Sequence, residues 1–200
     1  MGDLLPDIEL IRQMRNGDQN AFVTLYRRHH PALYRYAVLR CGSTQAAADV
    51  VQEVFMGLMV NQYHYDALKG NLLYFLYGVA RNVAMKFDEI TQHRFNNQLP
   101  GSSFSEQESD ETDVSVEVAS EELNPLERLL HHQMAEELRV AIACLSPHYR
   151  DVLILFELQE LSYLDIADIC QINVGTVRSR LFRARQALAE RLQSYRCEAA

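Results

Sequence analysis

Apolar positions recur at helical intervals on both sides of one polar stretch, and this pattern predicts two helical segments. In the first, Ile8 to Arg15 forms a helix closed by Asn16-Gly17, and Asp18 caps a second that runs to about Arg40. Cys41-Gly42 ends that helix, and Ser43 caps a third reaching about Gln62. A loop from Tyr63 to Gly70 precedes a long fourth helix, Asn71 to about Ile90. The last segment opens on Leu145-Ser146-Pro147, a helix start with Ser146 as N-cap and proline at the first helical position. Val152, Leu153, Leu155 and Phe156 supply its apolar face. A helix after Ser162 is expected to bury Leu164, Ile166, Ala167 and Ile169. A tight connection at Cys170-Gln171-Ile172 follows, and Asn173 caps a helix from Val174 to Leu188 or slightly beyond. The fold class this implies is all-α: two small helical domains, over 1–95 and 131–200.

The polar stretch between them, 96–130, reads as a flexible acidic linker. From about Asn96 to Asn124 it carries Gly101-Ser102-Ser103 and then Glu106, Glu108, Asp110, Glu111, Asp113, Glu117, Glu121 and Glu122, with few large apolar side chains. Such a composition buries too little surface to offset its ordering entropy. The helical pattern resumes at Pro125 with Leu126, Leu129, Leu130, Met134 and Leu138.

Charge changes the picture of what the last helix can do. The chain is formally −8, yet residues 1–95 hold ten basic and nine acidic side chains, 96–135 hold one and nine, and 136–200 hold eight and nine. The deficit therefore sits in the middle, and each end can keep a local basic face, so a low isoelectric point does not exclude nucleic acid. In the last helix Val177, Leu181, Ala184 and Leu188 form one inward stripe, while Gly175, Thr176, Ser179, Phe182 and Arg183 lie roughly opposite, flanked by Arg178, Arg180 and Arg185. No acid occurs from Val174 to Ala189. A short helix pair with one basic outer face is the geometry that lays a recognition helix in the major groove, and arginine serves both bidentate reading of guanine and clamping of phosphate. The competing reading is a solvated basic helix in an ordinary bundle.

The first segment has two further polar clusters. Asp49, Gln52 and Glu53 form a patch beside the apolar Val50, Val54 and Phe55. The loop and fourth helix bring Tyr63, Tyr65, Tyr74, Phe75 and Tyr77 close to Lys69, Asn71, Arg81, Asn82 and Lys86. Rings interleaved with amides and cations are what a single-strand platform needs, because bases stack on rings while cations hold phosphates; at helical spacing, most individual aromatics are core, and Phe75 and the aliphatic Val79 are expected there.

Other chemistry is not indicated. The sequence shows no Gly-rich phosphate loop, nucleophile motif or metal-ligand spacing, so no enzyme, cofactor, catalytic residue or metal is expected. Cys41, Cys144, Cys170 and Cys197 are scattered, which suits reduced thiols in a cytoplasmic protein. His29-His30 and His131-His132 are adjacent and do not share a helix face. No apolar run approaches the ~20 residues of a membrane span, and the N-terminus lacks a signal-peptide pattern.

Two stretches together resemble a known family. Leu10-Ile11-Arg12, Gly17-Asp18, Ala21-Phe22, Leu25-Tyr26, Leu33-Tyr34, then Asp49-Val50-Val51-Gln52-Glu53-Val54-Phe55 and Ala80-Arg81-Asn82, are similar to sigma domain 2. Leu145-Ser146, Arg150, Ile166-Ala167, Gly175-Thr176-Val177-Arg178-Ser179-Arg180-Leu181 and Ala184-Arg185 are similar to sigma domain 4. The order and spacing resemble the extracytoplasmic-function group of bacterial RNA polymerase sigma factors. The resemblance implies that domain 4 docks on the polymerase beta flap and reads the minus-thirty-five element, with Arg178, Ser179 and Arg183 on base edges and Thr176, Arg180 and Arg185 on phosphates. It implies that domain 2 grips the beta-prime clamp through Asp49, Gln52, Glu53 and Phe55. It also implies that Tyr65, Lys69, Asn71, Tyr74, Arg81, Asn82 and Lys86 capture the single-stranded minus-ten element. A stand-alone helix-turn-helix regulator would explain the last segment equally well, but not the clusters in the first.

Three departures from the family stand out. Gln171 occupies a turn position where members usually carry glycine, and Phe87-Asp88-Glu89 replaces an expected basic tail. Members also carry a run of acids before the Gln-Glu-x-Phe motif, whereas Ser43-Thr44-Gln45-Ala46-Ala47-Ala48-Asp49 keeps only the last. Missing charge-assisted contacts should weaken polymerase binding. A phosphate at Ser43 or Thr44 would restore about −1.5 to −2 of charge at a helix N-terminus, making these candidate phosphosites. Ser43 as a plain N-cap is the simpler reading. The controlling partner expected is a Ser/Thr kinase or an anti-sigma factor.

Overall fold

A computed structural model describes residues 5–68, 70–97 and 125–198. Residues 98–124 of the linker expected at 96–130, and the candidate Lys69, lie outside the described residues. Eight α-helices and no strand occur among them: α1 Asp7–Arg15, α2 Gln19–Cys41, α3 Thr44–Met59, α4 Leu72–Asn97, α5 Pro125–Ala143, α6 Pro147–Leu153, α7 Tyr163–Cys170 and α8 Val174–Glu198, with α6 continuing into a π-helical turn at Ile154–Leu158.

The caps explain where the helices begin. Asp18 accepts hydrogen bonds from the Asn20 and Ala21 amides, and Ser43 from Ala46 N. Ser162 and Asp165 exchange bonds as a full capping box at the head of α7, and Asn173 Oδ1 accepts from Thr176 N at 2.7 Å to start α8. Gly42 ends α2 at φ 70, and Gln171 ends α7 at φ 54, ψ 48, the left-handed geometry that glycine adopts most cheaply. One boundary differs from the sequence expectation: helix α4 continues to Asn97, past the expected end near Ile90. Helix α5 begins at Pro125, where the helical pattern resumes and proline suits a first helical turn, so the last residues of the range given to the linker, 125–130, are helical.

The first four helices pack around Leu25, Leu33, Val54, Leu58, Leu72 and Leu76, all 0–1 % exposed. The last four close on Ile154, Leu155, Ile166, Val177 and Ala184, each 0 % exposed. Leu164, expected in this core, is 69 % exposed. In a helix of eight residues, two turns define only a narrow inward stripe, and Ile166, Ala167, Ile169 and Cys170 fill it.

Rather than standing apart on a tether, the two halves share one continuous buried cluster. Helix α2 lies against α5, α6 and the π turn, and α4 against α7. Small residues meet at one end of the junction, where a Cβ at Gly42 would sit a tight 3.3 Å from that of Ala143. Polar bonds also span the junction. Asp151 of α6, 1 % exposed, accepts from Tyr36 Oη at 3.1 Å, Arg40 Nε at 2.6 Å and Arg81 Nε at 3.0 Å. Arg150 donates to the Arg40 carbonyl at 2.5 Å, and Tyr77 Oη to Gln159 Oε1 at 2.6 Å.

Candidate nucleic-acid interface

The inner stripe of α8 is Val177, Leu181 and Ala184, which fixes its outer face. That face presents Gly175, Arg178, Ser179, Phe182, Arg183, Arg185 and Gln186 as exposed positions, with Thr176 and Arg180 half-buried. The four guanidiniums are not equivalent. Arg178 lies over the Tyr163 ring at 5.5 Å. Arg185 lies over Phe156 at 5.3 Å and pairs with Glu157 at 2.6 Å. The two rings stack on each other with centroids 5.0 Å apart, so one aromatic pair braces two arginines. Arg183 has no hydrogen-bond or ion-pair partner among the described residues. Thr176 is tied to Asn173 through both its amide and its hydroxyl, and Ser179 Oγ donates to the Thr176 carbonyl at 3.1 Å. Phe182, 70 % exposed beside Ser179 and Arg183, is a large apolar group that the sequence reading placed on this face but gave no role.

On the first half, the loop after α3 and the start of α4 form the aromatic platform. Tyr65 Oη donates to the Gly70 carbonyl at 2.8 Å, and its ring lies 5.5 Å from that of Phe75. Burial raises the Tyr65 phenol above its ordinary pKa, with Asp7 and Asp66 adding to the effect, so it stays a neutral donor. Asn71 Oδ1 accepts from Leu73 N at 2.7 Å and heads α4. Tyr65, Asn71, Tyr74 and Asn82 line one cavity of about 450 Å³, whose opposite wall is Asp165, Asp168, Ile169 and Gln171 of α7 and its cap. Lys86 is exposed one turn beyond Asn82. Arg81 is not presented with them: it is 8 % exposed and bound to Asp151. Tyr77 is buried too, its phenol pushed up to about 12 by burial.

Gly57, which the sequence reading passed over, sets the loop. A Cβ there would lie 2.1 Å from the Tyr63 ring, so the loop packs on the end of α3 only because that residue has no side chain. Nothing in the sequence marks it, since Tyr63 and Gly57 meet through a turn whose path the pattern does not specify.

Helix α3 carries the acidic patch. Asp49, Gln52 and Glu53 are exposed on one face, which continues into Met56 and Met59 and on to Val60 just past the helix end, 47–66 % exposed. Gln45 bonds Asp49 at 3.3 Å, and Gln52 reaches the Met56 sulfur at 3.7 Å. Phe55 does not share this face. It is 2 % exposed, with its ring 4.8 Å from Tyr26 and 6.4 Å from Phe22, so it joins α3 to α2 and supports the patch from beneath. Ser43 is exposed at the head of α3 with its Oγ 3.4 Å from Ala46 N, and Thr44 is half-buried.

Among the described residues, no helix is long and apolar enough to cross a membrane, and no cluster of three His, Cys, Asp or Glu side chains could hold a metal ion.

Residues 25–92 match the family described as Sigma-70 region 2, and residues 135–188 match Sigma-70, region 4. The chain is similar to the ECF RNA polymerase sigma factor SigW of Bacillus subtilis strain 168, with 26 % identity over 183 residues, covering 92 % of this chain and 95 % of that one. It is 32 % identical over 196 residues to the ECF RNA polymerase sigma-E factor of Escherichia coli K12, covering 96 % and 97 %. Two solved structures share its fold. The sigma factor RpoE, solved in complex with the anti-sigma factor NepR from Bartonella quintana, gives a TM-score of 0.63 at 24 % identity, over 86 % of this chain and 96 % of that one. CnrH, solved in complex with the cytosolic domain of CnrY, gives 0.62 at 20 %, over 94 % and 97 %. With both regions matched in order and nearly the full length of the sigma-E factor aligned, this chain belongs to the extracytoplasmic-function group of RNA polymerase sigma factors.

Proposed function

We propose that this protein directs core RNA polymerase to a set of promoters through three separate surfaces. Residues up to 97 act as domain 2 and residues from 125 as domain 4. The exposed α3 face of Asp49, Gln52, Glu53, Met56 and Met59 docks on the polymerase clamp. Its apolar end adds burial to a patch that is short of charge. Tyr65, Asn71, Tyr74 and Asn82, with Lys86 beyond them, take the unpaired minus-ten strand, where stacking at about 1–3 kcal/mol per base offsets the cost of exposing bases. Helix α8 reads the minus-thirty-five duplex: Arg178, Ser179 and Arg183 reach base edges, Phe182 meets a thymine methyl, and Thr176, Arg180 and Arg185 hold the backbone. The polymerase supplies the chemistry, so the protein acts in the cytoplasm and needs no catalytic group of its own.

The observation that carries this reading is the outer face of α8. It is rich in guanidinium, has no acid from Val174 to Ala189, and holds one arginine with no partner among the described residues. A stand-alone regulator would share that face but leaves the α3 patch unexplained. Titrating the chain against core polymerase decides between them: a stand-alone regulator binds promoter duplex by itself and ignores the enzyme.

A finer layer concerns control. Phosphate on Ser43 or Thr44 would add anionic charge at the head of α3, two turns from Asp49, where the family run of acids is missing. The exposure of Ser43 supports this, although its hydroxyl already caps the helix. Ser43→Glu should then raise polymerase affinity above that of the unmodified chain, and equal affinity counts against the switch. An anti-sigma protein is the alternative controlling partner, and co-purification from the native host separates it from a kinase.

A further inference from the structure

We infer that a stacked ring pair, Phe156 with Tyr163, positions the minus-thirty-five reader: Tyr163 aims Arg178 at a base, and Phe156 holds Arg185 ready for a phosphate. The inference deepens the reading of α8 above and rests on it, and the experiment below separates the two. Both rings come from outside α8. Phe156 stands in the π-helical turn Ile154–Leu158, where Gln159 N donates to the Ile154 carbonyl five residues back at 3.1 Å. Tyr163 is the first residue of α7, directly after Ser162, whose capping box with Asp165 fixes the start of that helix. The rings lie nearly parallel, 9° apart with centroids at 5.0 Å, and both are half-buried against the core.

Arg178 and Arg185 are seven residues apart, so they share one edge of α8, separated by about 10 Å along its axis. The ring pair fills that interval. Arg178 lies over Tyr163 at 5.5 Å and Arg185 over Phe156 at 5.3 Å, which makes a ladder of cation, ring, ring and cation. A ring face holds a guanidinium through its charge and accepts none of its conventional hydrogen bonds. The N–H donors therefore stay available for the fork that matches guanine O6 and N7. Arg178 makes no hydrogen bond or ion pair among the described residues, so its ordering comes from Tyr163. Arg185 adds the 2.6 Å ion pair with Glu157, the residue after Phe156 in the same turn. An arginine whose rotamers are restricted beforehand loses less freedom on the duplex, an advantage of about 2- to 12-fold per side chain. Arg183, on the same outer face, has no such support and serves as an internal reference.

The test is equilibrium binding of holoenzyme to promoter fragments that carry each single-base change in the minus-thirty-five element, repeated across a salt series. Arg178→Ala identifies the base that Arg178 reads. Tyr163→Leu and Tyr163→Met keep bulk without a ring, Tyr163→Phe keeps the ring without the hydroxyl, and Phe156→Leu removes the support of Arg185. Thermal midpoints establish that each variant is folded. The inference predicts that Tyr163→Leu and Tyr163→Met lower discrimination at the Arg178 base by about 2- to 12-fold. They leave the salt slope and the Arg183 base as they are, and cost nothing further when Arg178 is already alanine. Tyr163→Phe restores discrimination to the wild-type value, and Phe156→Leu adds a loss shared by all sequences. Full discrimination at the Arg178 base without the Tyr163 ring overturns the inference. A uniform loss with a lower salt slope for Tyr163→Phe also overturns it, because the phenol would then be a phosphate contact itself. If Arg178→Ala shifts base preference and the ring variants do not, only the brace is wrong; if Arg178→Ala shifts none, the base reading by Arg178 fails with it.

Discussion

Arg183 and Arg185 stand on the same outer face of α8, yet the structure assigns them different consequences when removed. Arg183 has nothing to lose within the described residues, so truncating it acts on DNA alone. If it reads a guanine, Arg183→Ala should cost about 1–3 kcal/mol, roughly 5- to 150-fold, on the matched element and far less on an element changed at that base. Arg185 is already engaged by Glu157 at 2.6 Å, with side chains 52 % and 40 % exposed. An exposed pair of this kind is worth about 0–1 kcal/mol, and swinging the guanidinium to a phosphate forfeits that amount. Arg185→Ala should therefore weaken all sequences alike and lower the salt slope of binding by about 0.9 for the one phosphate lost. Glu157→Gln should do the opposite, strengthening all sequences by up to about fivefold, because it frees Arg185 and removes a nearby acid. The assay is equilibrium binding of holoenzyme to a matched and a mismatched promoter fragment at several salt concentrations. A uniform loss for Arg183→Ala, or a sequence-dependent one for Arg185→Ala, would refute the assignment of the two roles.

Three other outcomes follow from local geometry. Gln171 holds φ 54 without being glycine, at about 1–2 kcal/mol of strain, against the roughly 0.5–1 kcal/mol of backbone entropy that glycine adds; Gln171→Gly should thus stabilise the protein by about 0.5–1 kcal/mol, and a lowered thermal midpoint would contradict this. Gly57→Ala drives a methyl into the Tyr63 ring, so permanganate footprinting should show promoter opening reduced while duplex binding at the minus-thirty-five element stays intact. His29 is 6 % exposed and bonded to Asp7 at 2.9 Å; burial lowers its pKa below 6.5 while Asp7 pulls the other way. The folded state therefore prefers neutral His29, and the stability it contributes is present above 6.5 and lost as pH falls through the lower folded value. Thermal midpoints between neutral pH and mild acid should fall more steeply for wild type than for His29→Asn, and parallel curves would exclude the mechanism.

What could be read from the sequence was mostly local. Asp18, Ser43 and Asn173 cap helices through bonds to amides two or three residues on, so the residue type and its place before an apolar run suffice to locate them. The outer face of α8 was legible for the same reason, because a helix of that length repeats its inward stripe several times. Leu164 was misplaced because α7 offers only two turns from which to fix a phase. Phe55 sits in an exposed-looking motif but turns inward, since the rings that cover it, Phe22 and Tyr26, come from a different helix. The junction between the halves was invisible: Asp151 meets Arg81, Arg40 and Tyr36 across separations of 70, 111 and 115 residues, and no periodicity encodes such a meeting. Arg81 shows the consequence, with a motif position that suggests a nucleic-acid contact and a side chain committed to a carboxylate of the other half.

The measurement that bears most directly on the central claim is promoter-directed transcription by core RNA polymerase with and without this protein, on templates selected by the holoenzyme. The account predicts specific transcripts that require the protein, disappear with Glu53→Lys on the α3 face, and change template preference with Arg183→Ala. Unchanged transcription in its presence, together with tight binding of the protein alone to duplex DNA, would contradict it.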